Sequence, residues 1–452
     1  MKECEPVPAL PQTLQHPARL VPLAFLAVIL IGTLLLMLPH ARAGGGSSPF
    51  VIALFTATSA VCVTGLVVVD TATYWSTFGH LVILALFQVG GFGIMSGATL
   101  LGLLVTRRLR LATRLAAQAE TRGLALGDVV GVLRLVMAVT VLVQAAIAMA
   151  LTLRLHFAHG ESWMQAAWNG TFHAVSAFNN AGITTYSAGM AAFADDAMIL
   201  LPIMLGVVLG GIGMPVLHDL RRERRRPSRW SLHTKMTLLG TGLLLTAGLL
   251  TTLAIEWDNP DTLGAFAPLT RLVNAGFHSV MARSGGFSTV DLGRMHDETL
   301  AITYALMLIG GGSAGTAGGI KVGTFVVIGL IITAEVRGER DAVAFGRRVP
   351  VEVQRQAVTI TLMAVAVVGA ASLLLQSLSG LPLRDVVFET ISAFATVGLS
   401  TGVTAGLPAS AQVLLVLLMF MGRVGIVTLA TALALRRRQS PYRYPEERPI
   451  VG

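Results

Sequence analysis

The chain has 452 residues, of which 54% are hydrophobic and only 13% charged, with a formal net charge of +9. Soluble domains carry about 25% charged residues, so this composition excludes an ordinary soluble protein and indicates a membrane protein. Only three of the 33 basic residues are lysines, and most arginines fall in short blocks between apolar runs, which excludes a nucleic-acid partner and reads as membrane-flanking loops.

In chain order, a tail at 1–19 precedes a first apolar run at 20–38. That run and the following Ala41-Arg42-Ala43 superficially resemble a signal peptide. The run is about twice the usual length, however, and Lys2 and Arg19 are offset by Glu3 and Glu5, so it reads as a retained helix. Further apolar segments long enough to cross a bilayer lie at 78–105, 129–153, 197–217, 232–255, 300–333, 357–378 and 409–435. Shorter, partly polar segments at 48–60, 163–178, 266–282 and 383–395 fall between the members of each successive pair and are too short to cross. Cys4 and Cys62 should lie on opposite sides of the membrane, so neither a disulfide nor a metal-ligand spacing exists.

Each short segment runs into a similar glycine-bearing stretch. The first holds Val61, Cys62, Val63, Thr64 and Gly65; the second Asn179, Asn180, Ala181 and Gly182. The third holds Arg283, Ser284, Gly285 and Gly286; the fourth Ala395, Thr396, Val397 and Gly398. The intervals between the matching glycines are 117, 104 and 112 residues, an internal period that marks one unit used four times. The expected fold is an all-α polytopic membrane protein of four pseudo-repeats, at 20–110, 126–220, 232–336 and 352–436, with a tail at 437–452. Each repeat reads as helix, pore half-helix, filter turn, helix, giving eight spans and four re-entrant loops around one pore. Irregular backbone at membrane depth is tolerated where it is buried in protein or lines a wet cavity.

Charge suggests the orientation. Arginines fill the junctions between units: Arg107, Arg108, Arg110, Arg114 and Arg122; then Arg221, Arg222, Arg224, Arg225, Arg226 and Arg229 with Lys235; then Arg337, Arg340, Arg347, Arg348 and Arg355. With the arginines at 436–438, these junctions and both termini are expected to be cytoplasmic. The opposite loops carry Asp70, Asp195, Asp196, Glu256, Asp258, Asp261, Asp291, Asp297 and Glu298, an acidic mouth that would concentrate cations. A dehydrating cation needs a ring of backbone carbonyls, and turning successive peptides the same way needs alternating φ signs, hence the glycines. A half-helix ending behind each turn would aim its negative dipole end at the cation.

With these turns go Gln88-Val89-Gly90-Gly91-Phe92-Gly93-Ile94-Met95, Gly210-Gly211-Ile212-Gly213, the stretch GGGSAGTAGGIK, and Met421-Gly422-Arg423-Val424-Gly425. Over about residues 20 to 435 the chain resembles the Ktr/Trk/HKT superfamily of potassium transporters. With one span ahead of the first half-helix it is similar to the Ktr-type (KtrB-like) membrane subunit. Cys62 stands where a small hydroxyl residue is the family's habit. The resemblance implies K⁺ uptake through the four turns and no enzymatic activity. It implies no cofactor in this chain, a homodimer in the plasma (inner) membrane, and a cytosolic nucleotide-binding regulatory ring of the KtrA/TrkA type.

The interrupted sixth span carries Gly310, Gly311, Gly312, Ser313, Ala314, Gly315, Thr316, Ala317, Gly318 and Gly319, with Lys321 behind them. Its glycines match a dinucleotide fingerprint, but no βαβ pattern surrounds them. The resemblance makes it a gate under the filter, and places Arg423 near the cytoplasmic entrance, where a membrane-buried charge opposes cations. Lys321 either joins the cavity or snorkels, and Arg283 braces its turn. His173 and His278 match in two half-helices and read as packing residues. The alternatives are a Na⁺-coupled or Na⁺-permeable secondary transporter and a membrane-embedded hydrolase built on Ser313. Preference for K⁺ over Na⁺, and Na⁺ dependence, stay open.

Overall fold

The computed structural model describes residues 17–107 and 129–425. The tail residues 1–16, Arg108, Arg110, Arg114, Arg122, the end of the last apolar run and the 437–452 tail lie outside the described residues, as do the arginines at 436–438. The molecule is mostly helical. Helix α1 (Pro17–Leu36) leads to the short α2 (Phe50–Val61) and the long α3 (Thr77–Arg107). Next come α4 (Val129–His159), the short α5 (Trp163–Asn179), α6 (Ala197–Ile212) and α7 (Met214–Arg222). Then follow α8 (Leu232–Glu256), the short α9 (Pro268–Met281), α10 (Asp297–Leu308) and α11 (Val322–Val336). The last set is α12 (Val351–Ser379), the short α13 (Leu383–Phe394) and α14 (Ala409–Val424).

Local chemistry explains where the short helices start. Pro49 and Pro382 directly precede α2 and α13, Pro268 opens α9, and the Ser162 hydroxyl accepts the Gln165 N–H at the start of α5. Proline at a helix start loses no hydrogen bond, because those N–H groups have no intrahelical partner anyway. The order of long helix, short helix, glycine turn and second helix therefore recurs through the chain.

Among the described residues, three helical stretches are long and apolar enough to cross a membrane: Arg134–His159, Leu232–Glu256 and Val351–Ser379. The pair α6 and α7 makes a fourth if counted as one broken span. That pair departs from the single run expected at 197–217. It bends by 97° at Gly213, whose φ is 98°, and Pro215 follows two residues later. Pro215 has no N–H to continue the α6 ladder but fits the first turn of α7, and glycine accepts the positive φ between the two helices cheaply. The second unit as well as the third, where the chain breaks between Leu308 and Val322, therefore contains a broken inner helix. A small hairpin, β1 (Val343–Ala344) against β2 (Arg347–Arg348), lies in the third junction, where the sequence suggested none.

One apolar cluster joins α1, α2 and α3 to α12, α13 and α14, and a second joins the middle two units. Large apolar side chains such as Leu34, Leu142, Leu250, Leu362 and Leu373 stay exposed on the outer helix faces. Exposed apolar surface of that extent marks contact with lipid, not water.

Candidate functional site

The four glycine turns meet at one place. A Cβ on Gly65 would lie 2.5 Å from the Ala181 oxygen and 3.2 Å from the Gly398 Cα. One on Gly182 would lie 2.6 Å from the Gly286 Cα, and one on Gly286 2.7 Å from the Val397 oxygen. One on Gly398 would lie 3.0 Å from the Gly65 Cα and 3.1 Å from the Gly286 Cα. Contacts thus run from the first turn to the second, third and fourth, and back to the first. All four glycines have positive φ, at 96°, 67°, 75° and 91°.

Two residues before each glycine stands a second positive φ on a side-chain-bearing residue: Val63 (54°), Asn180 (61°), Ser284 (70°) and Thr396 (48°). The alternation expected of the glycines alone is therefore spread by the backbone over both positions. The intervening N–H groups point back into the short helices: Thr64 to the Ser59 oxygen (2.8 Å), Ala181 to Ser176 (2.7 Å), Gly285 to Met281 (2.8 Å) and Val397 to Ser392 (2.9 Å). Ser59 and Ser392 also accept the N–H of Gly65 and Gly398 on their hydroxyls, each at 3.1 Å. Cys62 is fully buried in the first turn.

The second helix of three units packs on the backbone behind its own turn. A Cβ on Gly90, Gly210 or Gly422 would collide with the carbonyl oxygen of Val61, Phe178 or Phe394, each four residues before the turn glycine. Other braces link residues far apart in sequence. Gln88 Oε1 accepts from Asn179 Nδ2 (2.7 Å) and Gln144 Nε2 (3.0 Å). Glu389, fully buried in α13, accepts from Ser400 Oγ (2.5 Å), the Thr401 N–H (3.1 Å) and Thr404 Oγ1 (2.6 Å) just beyond Gly398. His173 does the corresponding work in the second unit, lying between the Asn169 oxygen (2.7 Å) and Thr184 Oγ1 (2.9 Å). His278 meets Thr303 Oγ1 at 3.0 Å. Gln144 and Glu389 escaped the sequence reading because their partners are set by tertiary packing. A polar residue within an apolar helix was the signal available for each.

The interrupted span forms a folded loop between α10 and α11, directly against the turns. Its Gly312 and Thr316 N–H groups donate to the Gly211 (2.8 Å) and Gly210 (3.1 Å) oxygens of α6. Thr316 Oγ1 reaches Asn180 Oδ1 (2.8 Å) in the second turn. The Gly318 N–H donates to Ser284 Oγ (3.1 Å), whose own hydroxyl faces the Ala395 and Thr396 oxygens at 3.2 and 3.0 Å. Most of the loop is buried, whereas Ser313 is exposed and Ala314 holds a φ of 58°.

Arg423, buried in α14, donates to the Thr316 oxygen of the loop and the Gly90 oxygen of α3. Among the described residues its partners are therefore backbone carbonyls, and it forms no ion pair. Arg283 reaches away from its own turn, to the Gly310 oxygen (2.8 Å) and the Thr241 oxygen (3.5 Å). Lys321 folds back to donate to the Ala317 oxygen at 2.5 Å. Ser313 forms no hydrogen bond with a histidine among the described residues, as a hydrolytic pair would need.

The acidic loops hold less free charge than the sequence suggested. Asp196 pairs with Arg154 and His159, each at 2.8 Å, Asp297 with Arg384 at 2.8 Å, and Asp261 and Asp291 with Arg294. Burial pushes the Asp196 carboxyl up, but hydrogen bonds from Arg154, His159 and the Met198 N–H outweigh it and hold it below the usual carboxylate range. Asp70 is lowered too: burial opposes ionisation, while Ser187, Thr73 and the Ala72 N–H favour it. Glu256 is fully buried among Asn259, Thr262, Thr299 and the His296 N–H. These carboxyls mainly tie loops together.

Residues 8–441 match the family model described as "TrkH: Cation transport protein". The chain belongs to the TrkH family. Its relatives include Ktr system potassium uptake protein B of Bacillus subtilis (strain 168), 36% identical over 438 residues, covering 96% of this chain and 97% of the relative. Potassium/sodium uptake protein NtpJ of Enterococcus hirae is 33% identical over 447 residues, covering 96% and 97%. Among solved structures, the potassium transporter TrkH from Vibrio parahaemolyticus aligns with a TM-score of 0.71 over 92% of this chain and 85% of its own, at 18% identity. That likeness is one of fold. As a TrkH-family member the chain is a membrane transport protein and not an enzyme.

Proposed function

We propose that this chain is the K⁺-translocating subunit of a Ktr-type uptake system. In this reading the units 20–110, 126–220, 232–336 and 352–436 each give a span, a re-entrant half-helix, a filter turn and a second span, eight spans in all. K⁺ passes down its electrochemical gradient through carbonyls of the four turns, from Val61 to Gly65, Asn179 to Gly182, Arg283 to Gly286 and Ala395 to Gly398. The loop from Gly310 to Gly319, with Lys321 and Arg423, is the gate beneath them.

The observation that carries the reading is the mutual approach of Gly65, Gly182, Gly286 and Gly398, each two residues after a second positive-φ residue. Successive peptides of alternating φ sign turn their carbonyls to one side, which is how oxygen ligands replace a hydration shell. The names of the relatives support K⁺ as the ion. The assembly follows from the same resemblance: a homodimer in the plasma membrane, termini in the cytoplasm, with a cytosolic nucleotide-binding ring as regulator. Because one relative is named for both potassium and sodium, Na⁺ permeation is the second reading.

The test is Gly182→Ser in the full chain, measured as Rb⁺ uptake with Na⁺ as competitor. A side chain there meets the Gly286 backbone at a φ of 67°, so the turn must shift. The expected outcome is a loss of K⁺ over Na⁺ discrimination of about tenfold or more, the weight of about 1.4 kcal/mol. Unchanged discrimination would overturn the filter assignment.

A further inference from the structure

Six arginines crowd the nine residues that end α7 and follow it: Arg221, Arg222, Arg224, Arg225, Arg226 and Arg229. All six are exposed, and none forms an ion pair among the described residues. Five of them, with Glu223, line a surface cavity of about 650 Å³. Glu223 is the only acid in the run. The acid before it, Asp219, is engaged elsewhere: it accepts from Ser231 Oγ (2.7 Å) and Thr234 Oγ1 (2.6 Å) and so ties down the start of α8. So dense a set of like charges repels itself and calls for an external surface of several anions.

Its position says what that surface is. Helix α7 leaves α6 at 97°, so with α6 crossing the bilayer α7 lies near the membrane plane, its own Met214 and Val216 buried against the protein. Trp230 follows the arginines, partly buried, its Nε1 donating to the Glu223 oxygen (3.2 Å), and the apolar span α8 begins two residues later. Tryptophan at the end of a span sits at headgroup depth, and arginine clusters beside a span attract anionic lipid.

We propose that the segment from Arg221 to Arg229 binds anionic phospholipid headgroups, and that its occupancy is transmitted to the loop between α10 and α11. The transmitting contact is at the bend. The Met214 N–H donates to the Ala314 oxygen (3.4 Å), and a Cβ on Gly213 would lie 3.2 Å from the Gly315 nitrogen. A tilt of α7 therefore moves Ala314. The binding site stands independently of the transport reading; the transmission rests on it.

The test uses the purified full chain in vesicles, with brominated phosphatidylglycerol or brominated phosphatidylcholine at equal mole fraction. Trp230 fluorescence, isolated by comparison with Trp230→Phe, should be quenched more by the anionic lipid. Combining Arg222→Gln, Arg224→Gln, Arg225→Gln and Arg226→Gln should remove that excess, and lysine at the same four positions should keep it. Equal quenching by both lipids, or an excess that survives in the glutamine variant, overturns the site and leaves the arginines to an acidic protein partner. In parallel, Rb⁺ flux in the wild type should change about threefold or more when phosphatidylglycerol is added, and that of the glutamine variant should not. Lipid-specific quenching with a flux indifferent to lipid overturns the transmission alone. Absence of flux in every lipid would count against the transport reading without touching the quenching result.

Discussion

Val63 and Thr396 are β-branched residues at φ values of 54° and 48°, a region such side chains avoid at a cost of about 1–3 kcal/mol each. They persist because neighbouring bonds fix them: the next N–H in each turn is held by a serine carbonyl of the short helix, and the glycine two residues on by that serine's hydroxyl. Glu389 extends the same support to the far side of the fourth turn, where it accepts from three donors at once. Glu389→Leu leaves those donors unmatched in a buried site, at about 1–3 kcal/mol for each one that finds no water. Glu389→Gln keeps one acceptor, and the flanking hydroxyls can rotate to accept from its amide. Thermal unfolding in detergent should therefore rank wild type above Gln and Gln above Leu, with Na⁺ competition against Rb⁺ uptake following the same order. A leucine variant with wild-type stability and competition would show that the carboxyl does not support the turn.

At the scale of elements, the outer ends of the helices are held by charge. Asp196 caps α6 through the Met198 N–H while pairing with Arg154 and His159 of α4, so it fixes one span against another. Its carboxyl titrates below the ordinary value of about 3.9, so the stability it adds is present above that value and is lost as pH falls through the lower, folded one. Melting temperature should fall on acidification below about pH 4, and Asp196→Ala should be less stable at neutral pH with a shallower fall. Because Arg154 is half exposed, high salt should weaken the effect; an Asp196→Ala melting curve matching wild type at every pH would refute the role.

The short helices were legible in the sequence to within two residues: 48–60 against Phe50–Val61, and 383–395 against Leu383–Phe394. Their limits are set locally, by a proline or serine at one end and a glycine turn at the other. The break at Gly213 was written in Gly-Met-Pro but hidden by the apolar run around it. The Gln88, Gln144 and Asn179 cluster was not legible, since its members are 56 and 91 residues apart and nothing local distinguishes them from lipid-facing or cavity-facing polar groups.

At the scale of the whole molecule, the loop between α10 and α11 is where all four units meet. It bonds to α6 and Asn180 of the second unit, to Ser284 of the third, and through Arg423 of the fourth to Gly90 of the first. Arg423 can oppose permeation in two ways that the proposed gate does not by itself separate. It can act as a positive charge in the ion's path, or as a tether that holds the Thr316 carbonyl and with it the loop. Hydrogen bonds from a charged donor contribute about 1.5–3 kcal/mol, so losing the tether would shift a closed-to-open equilibrium by about tenfold or more. Arg423→Ala should therefore raise Rb⁺ flux, and deletion of residues 313–318 should raise it as well. The double variant separates the two mechanisms, because residues that act through one another give non-additive effects. If Arg423 works through the loop, adding Arg423→Ala to the deletion changes flux no further. If it works as a charge in the path, the two increases multiply. The bond from its guanidinium to the Thr316 oxygen favours the first outcome, and a fully multiplicative double variant would reject the tether.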